Sequence, residues 1–153
     1  MGISMPGVVQ VLITGALLLH AVAHAIAFVG LIGQASAGKP HRKAAVGSWV
    51  FPALAPKKAA LFLLPIWLLA TVLLFTAAAS SWGVLIPGLI WGRLAVLGAG
   101  ISILGSLLSG GIWPGSPNAN RAYLNTSVAV VMNFLILTAM VWLQWLPSRW
   151  IIG

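Results

Sequence analysis

The chain has 153 residues, 61% hydrophobic and 5% charged, with eight Lys and Arg, no Asp or Glu and no Cys. That composition excludes an ordinary soluble domain, disulfide, thiol-redox and thiolate-metal chemistry, and any acid–base scheme built on a carboxylate. The net charge of +8 does not point to nucleic acid, because the few cations sit in loops and at the ends of apolar stretches, where they orient a membrane protein and meet anionic headgroups.

Four apolar stretches each reach the roughly 20 residues that a spanning helix needs. They predict an all-α, polytopic membrane protein, a four-transmembrane-helix up-and-down bundle forming a single domain over 1–153. The first span covers 6–32. At about 100° per residue, Ala16, His20, Ala23, His24 and Ala27 share one of its faces. Ala35-Ser36-Ala37 resembles a signal-cleavage site. However, no Lys or Arg precedes the run and the run exceeds a signal h-region, so the segment reads as an uncleaved helix.

Loop 34–58 follows, with Lys39, His41, Arg42, Lys43, Lys57 and Lys58, and its stretch Gly47–Pro52 is expected along the membrane surface. The second span, 59–79, starts after Pro56 and contains Pro65, which membrane helices tolerate. Residues 80–88 predict a tight hairpin into the third span, 89–108. There Ala95, Gly98, Ser102, Gly105, Ser106 and Ser109 share a face, and Gly98, Ser102, Ser106 and Gly110 form a small-xxx-small ladder for close packing. Gly110-Gly111 and Pro114-Gly115 end that helix. Ser116 is the expected N-cap of the next, with Pro117 as its first residue. The fourth span, 122–146, places Thr126, Ala129, Asn133, Met140 and Gln144 on one face.

Loops one and three hold six cations (Lys39, Arg42, Lys43, Lys57, Lys58, Arg121) against two elsewhere (Arg93, Arg149). The positive-inside bias puts those loops in the cytoplasm and both termini on the non-cytoplasmic side, as for a multi-pass protein of a bacterial inner membrane. Trp82, Trp91, Trp142, Trp145 and Trp150 are expected in the outer aromatic belt, and Trp49, Trp113 and Tyr123 in the inner one.

His20, Thr71, Ser102 and Asn133 fall near the middle of their spans and predict a polar midplane layer, with His24 and Ser106 one turn nearer the cytoplasm. The two histidines, four residues apart, project to one side of one helix. An ionisable residue inside a span is a functional hypothesis by default. Four readings stand side by side. The rings bond Ser102, Ser106 or Asn133 and fix the packing. One ring ligates a haem or a chlorophyll-type pigment, with Ser102, Ser106 and Asn133 lining the cofactor site. The pair, as the only metal candidates, forms part of a chelate, which is incomplete without further ligands. Or the pair meets a quinone or a proton. Ser102 and Ser106 have histidine neighbours but no carboxylate to orient the imidazole, so a hydrolase lacks its third member. No catalytic residue is assigned.

Leu19-His20-Ala21-Val22-Ala23-His24 with Phe28, then Trp67-Leu68-Leu69-Ala70, Trp91-Gly92-Arg93 and an Asn in span four, Asn133, resemble a loosely defined group of small bacterial four-span membrane proteins. The resemblance covers most of the chain and departs in the long basic first loop. It implies a four-helix bundle and no established activity, so it transfers no residue role. The leading expectation is a non-catalytic subunit or scaffold, assembling with itself as a homo-oligomer or with other membrane subunits in the lipid bilayer. A haem-, chlorophyll- or quinone-binding electron-transfer or pigment subunit using His20 and His24 is the alternative. A small-solute or proton pathway through the midplane is the third.

Overall fold

The structure, a computed structural model, describes residues 7–37, 52–85 and 90–142. Those residues form four helices and no strand: α1 (Gly7–Ala37), α2 (Pro56–Ser80), α3 (Trp91–Leu108) and α4 (Ala119–Leu137), the last continuing as a π-helical turn, Thr138–Trp142. All four helices are long and apolar enough to cross a membrane. Trp49, Trp145, Trp150, Gln144, Arg149, most of the basic first loop and the side chain of Trp142 lie outside the described residues.

The helix ends differ from expectation for local reasons. α1 runs five residues past Ile32, and the Gln34 Nε2 amide donates to the Pro56 carbonyl at 3.0 Å, tying this extension to the start of α2. α2 begins at Pro56 rather than Ala59, because proline fits the first helical position without wasting an amide. Pro65 sits on an exposed face of α2, and the helix continues through it. The cap of α4 is Asn118, not Ser116: its Oδ1 accepts the Arg121 amide at 3.0 Å, and the helix starts at Ala119. Ser116 instead accepts from Asn125 Nδ2 at 3.2 Å.

α1 packs on α2, α2 on α3 and α3 on α4, whereas the backbones of α1 and α4 make little close contact. At the end where α2 finishes, Gln10 Nε2 donates to the Ser81 carbonyl at 2.7 Å. Trp82 Nε1 donates to Thr14 Oγ1 at 2.8 Å, and Thr14 and Ser81 hydroxyls meet at 2.7 Å. Ser81 Oγ donates to the Ala78 carbonyl, so the Thr14 hydroxyl must donate to Ser81. This clasp and the Gln34 bond fix α1 antiparallel to α2 at both ends.

Two apolar clusters fill the bundle. One, toward the basic-loop end, contains Ala27, Leu31, Ala60, Leu63, Trp67, Trp113 and Ala122. The other contains Leu17, Ala21, Leu74, Ala77, Ala95, Ala99, Ile136 and Met140. All six residues of the small-residue face of α3 are buried. A Cβ on Gly98 would lie 2.9 Å from Leu74 Cγ, and one on Gly105 would lie 3.3 Å from Trp67 Nε1, so these glycines set the approach of α3 to α2. The ladder stops short of Gly110, which is exposed beyond the helix with φ 66°.

The α3–α4 connection turns inward. Trp113, expected at the interface, is only 5% exposed. The positive-φ residues Gly110, Gly111 and Gly115 reverse the chain, and Gly115 lies against α1 so closely that a Cβ on Gly30 would sit 2.5 Å from its Cα. Gly30→Ala is therefore expected to push this connection off α1 and to destabilise the protein by about 1–3 kcal/mol. Gly33→Ala, with open space around its Cβ inside α1, should not destabilise the protein and should gain up to about 1 kcal/mol from helix propensity. Unfolding followed by tryptophan fluorescence in mild detergent measures both.

Candidate functional site: a closed hydrogen-bond ring beside a lateral cleft

Between the two apolar clusters lie His20 and His24 of α1, Ser102 of α3 and Asn133 of α4, all buried. His20 Nε2 is 2.8 Å from Asn133 Oδ1. Asn133 Nδ2 donates to Ser102 Oγ at 2.6 Å. Ser102 Oγ is 2.6 Å from His24 Nε2, and His24 Nδ1 is 3.0 Å from the His20 carbonyl.

Elementary donor–acceptor rules orient every bond. A backbone carbonyl only accepts, so His24 Nδ1 carries the proton. The neutral imidazole then accepts at Nε2, and the Ser102 hydroxyl must donate there. Having spent its one proton, Ser102 accepts from the Asn133 amide nitrogen. The Asn133 oxygen is left to accept from His20 Nε2–H. The circuit starts on the His20 ring and ends on the His20 carbonyl. Turning the Asn133 amide over would ask Ser102 to donate twice, so only one sense of the ring is consistent.

The ring fixes which histidine nitrogens are already engaged. His24 uses both nitrogens and has no lone pair for a metal. His20 retains one lone pair, on Nδ1, which takes no hydrogen bond among the described residues. Nδ1 is the nitrogen nearer its own backbone, where the plane of a macrocycle would meet α1. Haem or pigment ligation by either Nε2 would require breaking the ring. No group of three His, Cys, Asp or Glu comes together among the described residues. As a proton path the circuit leads nowhere, because its last acceptor is an amide carbonyl.

Ser102 and His24 have the spacing of a nucleophile and its base, with the His20 carbonyl as orienter. Both are enclosed, at 2% and 0% exposure, and neither lines the cleft described below. Ser106, one turn away on the same face, joins no bond: its buried Oγ is without a partner, as are Thr126 Oγ1 and Trp67 Nε1. Thr71 bonds its own helix, donating to the Trp67 carbonyl at 2.7 Å.

Two tryptophans complete the surroundings. The His24 ring lies 5.1 Å from Trp67 and 5.1 Å from Trp113, the two indoles meet edge-on at 4.8 Å, and His20 meets His24 edge-on at 4.5 Å. Trp67 was open to discovery from the sequence: Leu63, Trp67, Ala70, Leu74 and Ala77 repeat at helical spacing on the buried face of α2. Trp113 carried no such periodic signal.

Because α1 and α4 stay apart, a cleft of about 330 Å³ opens between them. Its walls are His20, Ala23 and Ile26 of α1, Trp113 of the connection, and Leu124, Asn125, Val128 and Ala129 of α4. Ile26, Leu124 and Val128 are more than half exposed, so the mouth opens sideways through an apolar rim. His20 and Asn125 are the polar side chains on the wall other than the Trp113 indole.

The ring separates two otherwise similar serines. Ser102→Ala removes two interhelical bonds and should cost about 1–2 kcal/mol. Ser106→Ala removes a hydroxyl that bonds nothing and should change stability by less than about 0.5 kcal/mol. Thermal unfolding of the two variants in one detergent makes the comparison.

No family model, no curated protein and no solved structure matches the chain.

Proposed function

We propose that the chain is a small multi-pass membrane protein whose α1–α4 cleft binds a lipid-soluble small molecule entering from the side. The carrying observation is the cleft itself: an apolar, laterally open cavity with an unspent imidazole lone pair on its wall. Its volume lies near the lower end of ordinary ligand pockets, suited to one ring system whose tail continues into lipid. His20 takes the role of ligand contact. His24, Ser102 and Asn133 act through the ring to hold the His20 tautomer and position. In this reading the chain is a binding protein rather than an enzyme, and no haem, chlorophyll or metal is required.

The six-to-two cation bias supports loops one and three in the cytoplasm, with a bacterial inner membrane as the host. The cleft would then open in the cytoplasmic half of the bilayer, since Leu124 and Asn125 stand near the start of α4.

A second reading, a scaffold assembling with a copy of itself or another membrane subunit, is favoured by α4, whose span is the least covered of the four. Val128, Val131, Phe134 and Leu135 point outward from it. Native mass spectrometry from mild detergent separates the two. The binding reading expects a monomer retaining about one small apolar molecule per chain, which Val128→Trp at the cleft rim expels while the helical circular dichroism stays that of the parent, the unfolding temperature falling only by the stabilisation the ligand supplied. A stoichiometric protein partner, with no small molecule bound, would favour the scaffold. The preparation is expected to lack a visible absorption band.

A further inference from the structure

A cation stands at the foot of the cleft, and we infer that the occupant is an anionic diacyl phospholipid, with one acyl chain between α1 and α4 and its headgroup phosphate held by Arg121. This rests on the cleft-binding reading above. It names the headgroup, and it makes an acyl chain rather than a ring the part that fills the cleft.

The register of α4 carries the placement. Leu124, Asn125 and Val128 line the cleft, and Arg121 precedes them by three, four and seven residues. Those steps stack side chains on one stripe of a helix. Arg121 therefore belongs to the cleft stripe, one turn nearer the end of the bundle, and it is exposed. α4 begins only two residues earlier, at Ala119, which is headgroup depth for a helix that crosses the bilayer.

The shape follows the same axis. The α1 wall runs from His20 to Ile26, about 9 Å of helix rise. The cleft is thus elongated along the helices, the direction in which acyl chains lie in a bilayer. Its mouth between Ile26 and Val128 is open sideways, so the second acyl chain of the same lipid stays outside.

Charge selects the headgroup. A guanidinium pairs a phosphate through two parallel N–H bonds. The chain has no Asp or Glu, so no side-chain carboxylate competes for Arg121. The same absence disfavours a zwitterionic headgroup, whose ammonium would find no acidic side chain. It would instead meet more cations: Lys57 and Lys58 open α2 at the same end of the bundle, where Gln34 bonds Pro56 and Gly115 lies against Gly30. Asn125, next on the stripe, spends one amide proton on Ser116 Oγ and keeps the other for an ester carbonyl, the group just inside the phosphate of a glycerolipid.

The test places the full chain in nanodiscs of equimolar phosphatidylglycerol and phosphatidylcholine with matched acyl chains. Native mass spectrometry after transfer to mild detergent then reads the lipid retained. Phosphatidylglycerol should outnumber phosphatidylcholine about five-fold, the worth of one cation near the surface. Arg121→Gln, a change at an exposed side chain, should bring the two lipids close to parity. The double variant Lys57→Gln/Lys58→Gln removes twice the charge from the same end, but from α2, which lines no part of the cleft. It should leave the ratio close to the parent's, because exposed charges away from the site are screened. Val128→Trp should expel the lipid while the helical circular dichroism stays that of the parent. Parity in the parent overturns the headgroup assignment, as does a ratio that the lysine pair lowers as far as Arg121→Gln does, or a retained molecule that is not a phospholipid. The cleft reading survives each of these when Val128→Trp still expels what is bound. Retention that Val128→Trp leaves unchanged, or a chain that retains nothing, overturns both readings.

Discussion

The hydrogen-bond ring among His20, Asn133, Ser102 and His24 is the contact on which the arrangement of the helices depends. α1 lies directly on α2, but its backbone makes little contact with α4, and the ring is what carries α1 across to α3 and α4. It does so without a charge. A chain that lacks Asp and Glu cannot offset a buried cation, so the joint is built from two imidazoles, a hydroxyl and an amide whose donors and acceptors match in one sense only. Every member bonds two neighbours or its own backbone, and the His20 Nδ1 lone pair and the second Asn133 amide proton are left over from the ring. The tryptophans depend on it in turn, since Trp67 and Trp113 close around the His24 ring.

One residue belongs to both the joint and the cleft. His20 gives Nε2 to the ring and keeps Nδ1, so the same bond that fixes the bundle also fixes which atom His20 presents to the cleft. The cleft exists because α1 and α4 stand apart, and they stand apart because side chains rather than backbones span that gap. Trp113, carried in by a connection that Gly30 allows to lie against α1, closes the cleft at one end.

Much of this was legible in the residues. The spans follow from apolar length, and the inward face of α3 follows from its small residues, because close packing selects them and lipid does not. The histidine pair and Asn133 stand out as polar atoms that must find partners. The inward face of α1 was only half legible. Leu17, Ala21 and Leu31 are buried along with the histidines, yet in an apolar helix a packed Leu and a lipid-facing Leu look alike. Trp113 reads as an interfacial anchor by type and position, and only the turn built by three positive-φ glycines carries it inside. The choice of Asn118 over Ser116 as cap could not be made from composition, since both types cap well. Which nitrogen of each histidine is spent is a property of the closed circuit, and no single segment contains it.

The neutrality of the ring has a further consequence for how such a chain is made. In the membrane-spanning arrangement proposed here, each helix enters the bilayer before its neighbours are in place. A carboxylate or cation at mid-helix would oppose that step by about 2.5–3.5 kcal/mol. The described cations Lys57, Lys58, Arg93 and Arg121 all lie within the first turn of their helices. The middle of α1 carries two histidines, that of α3 a serine and that of α4 an asparagine, each unpaired only until the others arrive. Insertion can proceed helix by helix, and the ring then acts as a latch that closes when the set is complete and recognises only the correct neighbours.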